Sequence, residues 1–203
     1  LQIEGPLERV YHLACPASPV GFIPRAVEIL RTCAEGTHNM LELATAHQAV
    51  FILASSSQVY GDPPVDPQPE TCCGRVNPVG MRTACEEGKR FAEALTISFH
   101  RTRRTQTRIA RIFNTYGPRM HPDDGRVLPT FLRRALLGQP LTIYGDGSQR
   151  RCFCFVTDIV DGLVRLGESL FVEPINLGST EQISITDLAR LVIALTGSAS
   201  QIE

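Results

Sequence analysis

The run Ala49-Val50-Phe51-Ile52-Leu53-Ala54 constrains this chain more than any other segment. It has strand length and no polar residue at alternate positions, so a strand built from it needs apolar cover on both faces. Helices that cross between parallel strands supply such cover. The flanking segments have the matching periods. Residues 9–14 (RVYHLA) read as a buried strand, and residues 107–113 (TRIARIF) alternate like one. Residues 27–46 carry Val27, Ile29, Leu30, Met40, Leu41 and Leu43 at near-helical spacing, and residues 82–100 read as a second long helix. Strand, helix, strand, helix, strand predicts right-handed crossovers and an α/β fold with helices on both faces of a parallel sheet.

After Asn114 the texture changes. The turn-rich NTYGPRMHPDDG leads into an amphipathic helix over 127–137. Two short strands, a helix over 157–166, a strand over 175–177 and a helix over 184–195 are expected to follow. Thr186 and Asp187 are the expected capping residues of the last helix. The chain therefore divides into a nucleotide-type α/β layer over 1–114 and a smaller portion, interleaved with it, over 115–203.

Charge and cysteine content exclude several function classes. Twenty basic and 21 acidic residues leave a formal net charge of -1, with no electrostatic footprint for nucleic acid or an anionic membrane. No apolar run reaches the roughly 18 residues of a membrane span. The opening residues LQIEGPLERV lack a signal peptide's charged-then-apolar pattern, so they supply no targeting segment and leave localisation open. The seven cysteines, at 15, 33, 72, 73, 85, 152 and 154, match neither a zinc knuckle nor a small-domain disulfide framework. Packed free thiols are expected, and no metal site.

Ligands of open α/β sheets sit beyond the carboxyl ends of the strands. Three segments there carry weight. Leu13-Ala14-Cys15-Pro16-Ala17-Ser18-Pro19 is a small-residue turn that would let a ligand approach the backbone, or a turn chosen for its prolines. Ser55-Ser56-Ser57-Gln58-Val59-Tyr60-Gly61 puts hydroxyls at the end of a buried strand, where they need partners, either in a turn or from a substrate. Gly88-Lys89 lies in the second long helix, where a lone lysine is ordinarily solvated.

Taken in order, the segments resemble a known family. HLACPASP, SSSQVYGDP, GRVNPVGMRTACEEGKRFAE, ARIFNTYGPRM, DDGRV, YGDGSQRRCF and FVTDIVDGLV are similar to the UDP-glucuronate decarboxylases of the extended short-chain dehydrogenase/reductase family. The resemblance implies a Rossmann-like doubly wound parallel sheet lacking its N-terminal strands, with a small, truncated C-terminal substrate-binding portion. It implies NAD as cofactor, a UDP-sugar as substrate, and conversion of UDP-glucuronate to UDP-xylose and CO2. In that reaction a tyrosine, assisted by a lysine four residues later, takes the C4 hydroxyl proton; decarboxylation and re-reduction follow.

Residue by residue, the resemblance assigns Ser56 and Lys89 to catalysis. It assigns Leu13, Ala14, Lys89, Thr115 and Arg119 to the cofactor, and Ser57, Asn114, Arg126 and Arg151 to the substrate. At the tyrosine position stands Cys85, too short to reach the proton a phenol reaches, so activity is expected to be impaired. Gln58 replaces a glutamate, Cys33 an asparagine, and Cys72-Cys73 a Tyr-Trp pair. Gly5, Gly21 and Gly36 do not form the family's G-x-x-G-x-x-G diphosphate loop. Two further readings follow: a non-catalytic relative that binds a nucleotide sugar, as a homodimer or paired with an intact family member; and a nucleotide-sugar epimerase or dehydratase. The resemblance implies the Golgi lumen for animal members and the cytoplasm for others.

Overall fold

A computed structural model describes residues 3–203. Its centre is a four-stranded parallel sheet in the order β1-β2-β3-β7, formed by Arg9–His12, Val50–Ser56, Thr107–Ile112 and Ile175–Leu177. The apolar run is β2. Successive side chains of a strand point to opposite faces. Phe51 and Leu53 accordingly pack on one face with Val10, Ile109, Leu41 and Phe99, beneath α2 (Thr37–Ala46) and α3 (Thr83–Arg103). Ile52 points the other way, into a cluster with Ala110, Ile159, Leu163 and Leu166 of α5 (Val156–Glu168). Both faces of β2 are thus covered, as six uninterrupted apolar residues require.

The first long helical stretch is not one helix. α1 (Ala26–Arg31) passes into a π-helical turn, Thr32–Gly36, before α2 begins. Such a turn adds a residue within a helix without breaking its course, so the apolar spacing in sequence does not reveal it. It is packed tightly: a Cβ on Gly88 of α3 would lie 3.1 Å from Cys33 Sγ. β1 also ends at His12, which leaves Leu13 and Ala14 beyond the strand.

The sheet does not stop at Asn114. The later portion returns β7 to its edge and α5 to its face, because Arg111 and Ile112 pair with Asn176 and Leu177. A third apolar cluster, centred on Phe131, Leu141, Leu188 and Val192, binds α4 (Val127–Leu136) to α6 (Ile185–Thr196). Short pairings attach this lobe: β4 (Thr115–Tyr116) with β6 (Cys154–Phe155), and β5 (Arg150–Cys152) with β8 (Gln182–Ser184). The N-cap of α6 is Ser184, not Thr186 or Asp187. Its Oγ accepts from the Asp187 N–H at 3.0 Å and donates to Asp187 Oδ2 at 2.6 Å, whereas Thr186 donates to the Gly147 carbonyl. Ser184 is extended and one residue outside the helix, the geometry from which a short hydroxyl reaches the third helical N–H. Among the described residues, no helix is long and apolar enough to cross a membrane.

Candidate functional site

Beyond the carboxyl ends of β2 and β3 the chain opens into a cleft. Two adjoining cavities of about 600 Å3 and 890 Å3 share Gln58, Arg82, Asn114 and Arg151. Ser57 lines the smaller one, and Thr115 and Arg126 the larger. Five separate segments therefore supply the walls, and they fall where an open sheet leaves a crevice.

The floor is built by the end of β2. Ser56 Oγ accepts the Gln58 N–H at 3.2 Å and caps a single 3-10 turn, Ser57–Tyr60. The turn exits through Gly61 at φ 58° and ψ -119°, where a Cβ would lie 2.0 Å from the Arg75 carbonyl oxygen, so only glycine fits. Below the turn runs a closed polar network. Glu93 of α3 meets Arg111 of β3 at 2.7 Å and accepts from Ser55 Oγ at 2.5 Å. Arg111 also donates to Tyr60 Oη at 2.9 Å, and Tyr60 donates to Asn176 Oδ1 at 2.8 Å. Ser55 and Tyr60 belong to the hydroxyl-bearing segment read from sequence as needing partners; Glu93, Arg111 and Asn176, which supply those partners, are not legible there as site residues.

The cleft's polar side chains differ in how far they are already committed. Asn114 is exposed; its Nδ2 donates to the Cys152 carbonyl at 3.1 Å, which leaves Oδ1 toward solvent. Arg151 is exposed, with NH1 donating to the Arg150 carbonyl at 2.8 Å. Arg126 is tied down: NH1 meets both oxygens of Asp124 at 2.8 and 2.9 Å, and NH2 donates to the Ala17 carbonyl at 2.6 Å. Its guanidinium therefore fastens the turn after β1 to the start of α4. Thr115 Oγ1 donates to the Phe113 carbonyl at 3.0 Å. Arg119, exposed and at φ 67°, lines neither cavity of the cleft; it lies on an apolar groove with Leu132 and Phe155 that adjoins the larger cavity through Tyr116, Met120 and Leu128.

Behind this cleft lies a second group. Lys89 is 8% exposed, not solvated as a lone helical lysine ordinarily is, and its Nζ donates to the Ala54 carbonyl at 2.7 Å. Cys85 is buried one helical turn earlier, in a cluster with Ile29, Cys33 and Ala84. Burial, with a smaller push from Cys15, raises its thiol pKa to about 11, although Lys89 pulls the other way. His12, at the end of β1, bonds Thr37 Oγ1 at 3.1 Å and is held neutral. Burial and then the Lys89 charge lower its pKa to about 4. All seven cysteines are unpaired, and Cys15 Sγ lies 3.8 Å from Cys33 Sγ. Leu13 and Ala14 are exposed beside this group.

The chain is similar in sequence to UDP-glucuronic acid decarboxylases and in structure to nucleotide-sugar epimerases. It is 52% identical to UDP-glucuronic acid decarboxylase 4 of Arabidopsis thaliana over 92% of its length and 42% of that protein. It is 47% identical to UDP-glucuronic acid decarboxylase 1 of Xenopus tropicalis over 97% of its length and 47% of that protein. The chain spans about half the length of the curated relatives it matches. Among solved structures, it resembles the UDP-glucose 4-epimerase of Thermotoga maritima with UDP-glucose. The TM-score is 0.87 at 26% identity, covering 97% of this chain and 64% of that one. It also resembles the UDP-glucuronic acid 4-epimerase of Bacillus cereus in complex with UDP-glucuronic acid and NAD. There the TM-score is 0.82 at 27% identity, over 97% and 62% of the two chains. With residues 3–178 matching the model of the NAD dependent epimerase/dehydratase family, and with the strand order and the cleft beyond it in place, the chain belongs to that family.

Proposed function

We propose that this chain carries the substrate-facing part of a UDP-glucuronate decarboxylase site, and that its proton-abstracting step is weakened at Cys85. The observation that carries the reading is the convergence of Gln58, Asn114 and Arg151, from three distant segments, on one cleft. Likeness to decarboxylases at 47–52% identity supports the choice of reaction over epimerisation or dehydration.

Each side chain has a part. Arg151, with NH1 on the Arg150 carbonyl, offers its remaining N–H groups to a carboxylate or diphosphate. Asn114 offers its free oxygen to a hydroxyl or amide of the nucleotide sugar. Ser56 accepts from the turn and keeps its own O–H to donate toward the sugar's C4 oxygen. Ser57 and Gln58 form the adjoining wall. Arg126, already paired with Asp124, positions the wall rather than binding by charge.

The residues fit one end of an NAD. Lys89 is buried with three donors and, among the described residues, one hydrogen bond, so it retains protons for ribose hydroxyls. Leu13, Ala14 and Thr115 would line the same end, with Arg119 further out. The turn after β1 contains no glycine cradle for the diphosphate. When bound, NAD supplies hydride acceptance and return at C4.

Cys85 limits the proton transfer. With its pKa raised to about 11, it is a neutral thiol at pH 7 and cannot accept a proton until ionised. Calorimetry with UDP-glucuronate tests binding: Arg151→Ala should weaken it by about tenfold or more, the loss of a charge-assisted contact. CO2 release with NAD tests the chemistry, and none above background is expected. Failure of the unaltered chain to bind any UDP-sugar would overturn the reading; ready formation of UDP-xylose would overturn the impairment.

A further inference from the structure

Three thiols crowd one wall behind the cleft. Cys15 sits in the irregular turn after β1, half-buried, with its Sγ 3.8 Å from that of Cys33. Cys33 is buried in the π-helical turn Thr32–Gly36, and Cys85 belongs to the same cluster. We propose that Cys15 and Cys33 form a reactive dithiol, a modification site that takes low-molecular-weight disulfides and closes to an intramolecular disulfide.

Geometry carries this reading. The sulfurs are already in contact, and the bond requires them to approach by less than 2 Å, to the ~2.05 Å of a disulfide. Cys33 is packed tightly against Gly88 of α3, so the movement falls to Cys15, half-buried in the irregular turn after β1. Chemistry points the same way. A hydrogen bond from Cys33 and, more weakly, the charge of Lys89 hold the Cys15 thiol below its ordinary range, while the same hydrogen bond and then burial raise Cys33. One partner is the nucleophile and the other the resolving thiol, the division of labour that exchange needs.

The steps balance without any group outside the proposal. The Cys15 thiolate attacks one sulfur of the small disulfide, forms a mixed disulfide and expels the first thiolate. Cys33 then loses its proton and attacks the Cys15 sulfur, forming the internal bond and expelling the second thiolate. The two cysteines lose two electrons, the small disulfide gains them, and the two thiol protons end on its two halves. Cys72 and Cys73, consecutive in the chain, and Cys152 and Cys154, one of them buried, have no sulfur recorded in contact with another among the described residues.

The new bond would fasten the turn that holds Leu13 and Ala14. That consequence rests on the function proposed above; the dithiol does not. The test uses the unaltered chain, incubated with oxidised glutathione, capped with iodoacetamide and mapped by peptide mass spectrometry. The expected result is a Cys15–Cys33 cross-link that forms before any other pair and is reversed by dithiothreitol. Cys33→Ser should instead accumulate glutathione on Cys15. Cys15 and Cys33 both recovered as carbamidomethyl peptides, or another pair linked first, would overturn the proposal. The mapping needs neither a folded variant nor catalytic activity, so its failure and the failure of the functional reading are separable.

Discussion

His12 and Cys85 show how much one residue's surroundings decide. Both lie near the Lys89 ammonium and both are buried, yet burial drives them in opposite chemical directions, because it disfavours whichever form is charged. It leaves His12 neutral down to about pH 4 and Cys85 protonated up to about 11. The histidine carries a stability consequence. An unfolded chain takes up a proton on His12 near pH 6.5, and the native chain refuses it until about 4. Stability contributed by His12 is therefore present above 6.5 and is lost as pH falls through that window, on the order of 3 kcal/mol in all. Urea titrations of the wild type and His12→Gln at pH 7 and pH 4.5 measure it. The variant should lose distinctly less stability on acidification, and parallel losses would contradict the assignment. A buried strand at His12, packed thiols and the spacing from Cys85 to Lys89 are legible in sequence; the convergence of both groups on the Lys89 charge is not.

Among the elements, α3 does most to hold the site. Its Lys89 grips the carboxyl end of β2, its Glu93 grips β3 through Arg111, and Arg90 donates to the Val59 and Cys73 carbonyls around the 3-10 turn. The Glu93–Arg111 pair is nearly excluded from water, with both side chains about one-tenth exposed, 11% and 12%. Removing one partner of such a pair strands the other charge. Glu93→Ala should cost about 3–5 kcal/mol in urea unfolding. Glu93→Leu combined with Arg111→Met should cost well below the sum of the two single changes. Strictly additive costs would mean that the pair is not coupled. The existence and length of α3 follow from residue spacing; its grip on two strands does not, since Glu93 and Arg111 are 18 residues apart. The same holds at the first long helix, where a period near 3.6 persists across the π-helical turn and conceals the break.

For the whole molecule, the cleft is shared between two apolar cores. Gln58 and Asn114 extend from the sheet, whereas Arg151 lies on β5 and Ile185 opens α6, in the lobe centred on Phe131 and Leu141. A ligand that touches both sides should stabilise the molecule as a unit. At a hundredfold excess over its Kd, UDP-glucuronate should add about 2.7 kcal/mol. For a chain of this length that corresponds to a rise of roughly 5–10 °C in Tm. Differential scanning fluorimetry checks this, and Arg151→Ala should lose most of the rise. An unchanged Tm for the unaltered chain would argue against ligand binding in the cleft.

The amino-acid sequence alone determined the order of the four strands of the central sheet, the double cover on β2 and the family, because these depend on local periodicity and on short motifs read in chain order; the short β4 and β8, two and three residues long, carry no such period. Tertiary structure decided which of the named side chains are free to act. Arg126 is spent on Asp124 and Ala17, Arg119 is turned onto another groove, and Lys89 is buried on Ala54. It also brought Cys15 to Cys33 and Glu93 to Arg111. The physical reason is common to all of them. Hydrogen bonds, burial and the proximity of charges depend on segments far apart in the chain, whose meeting is set by how the helices pack on the sheet.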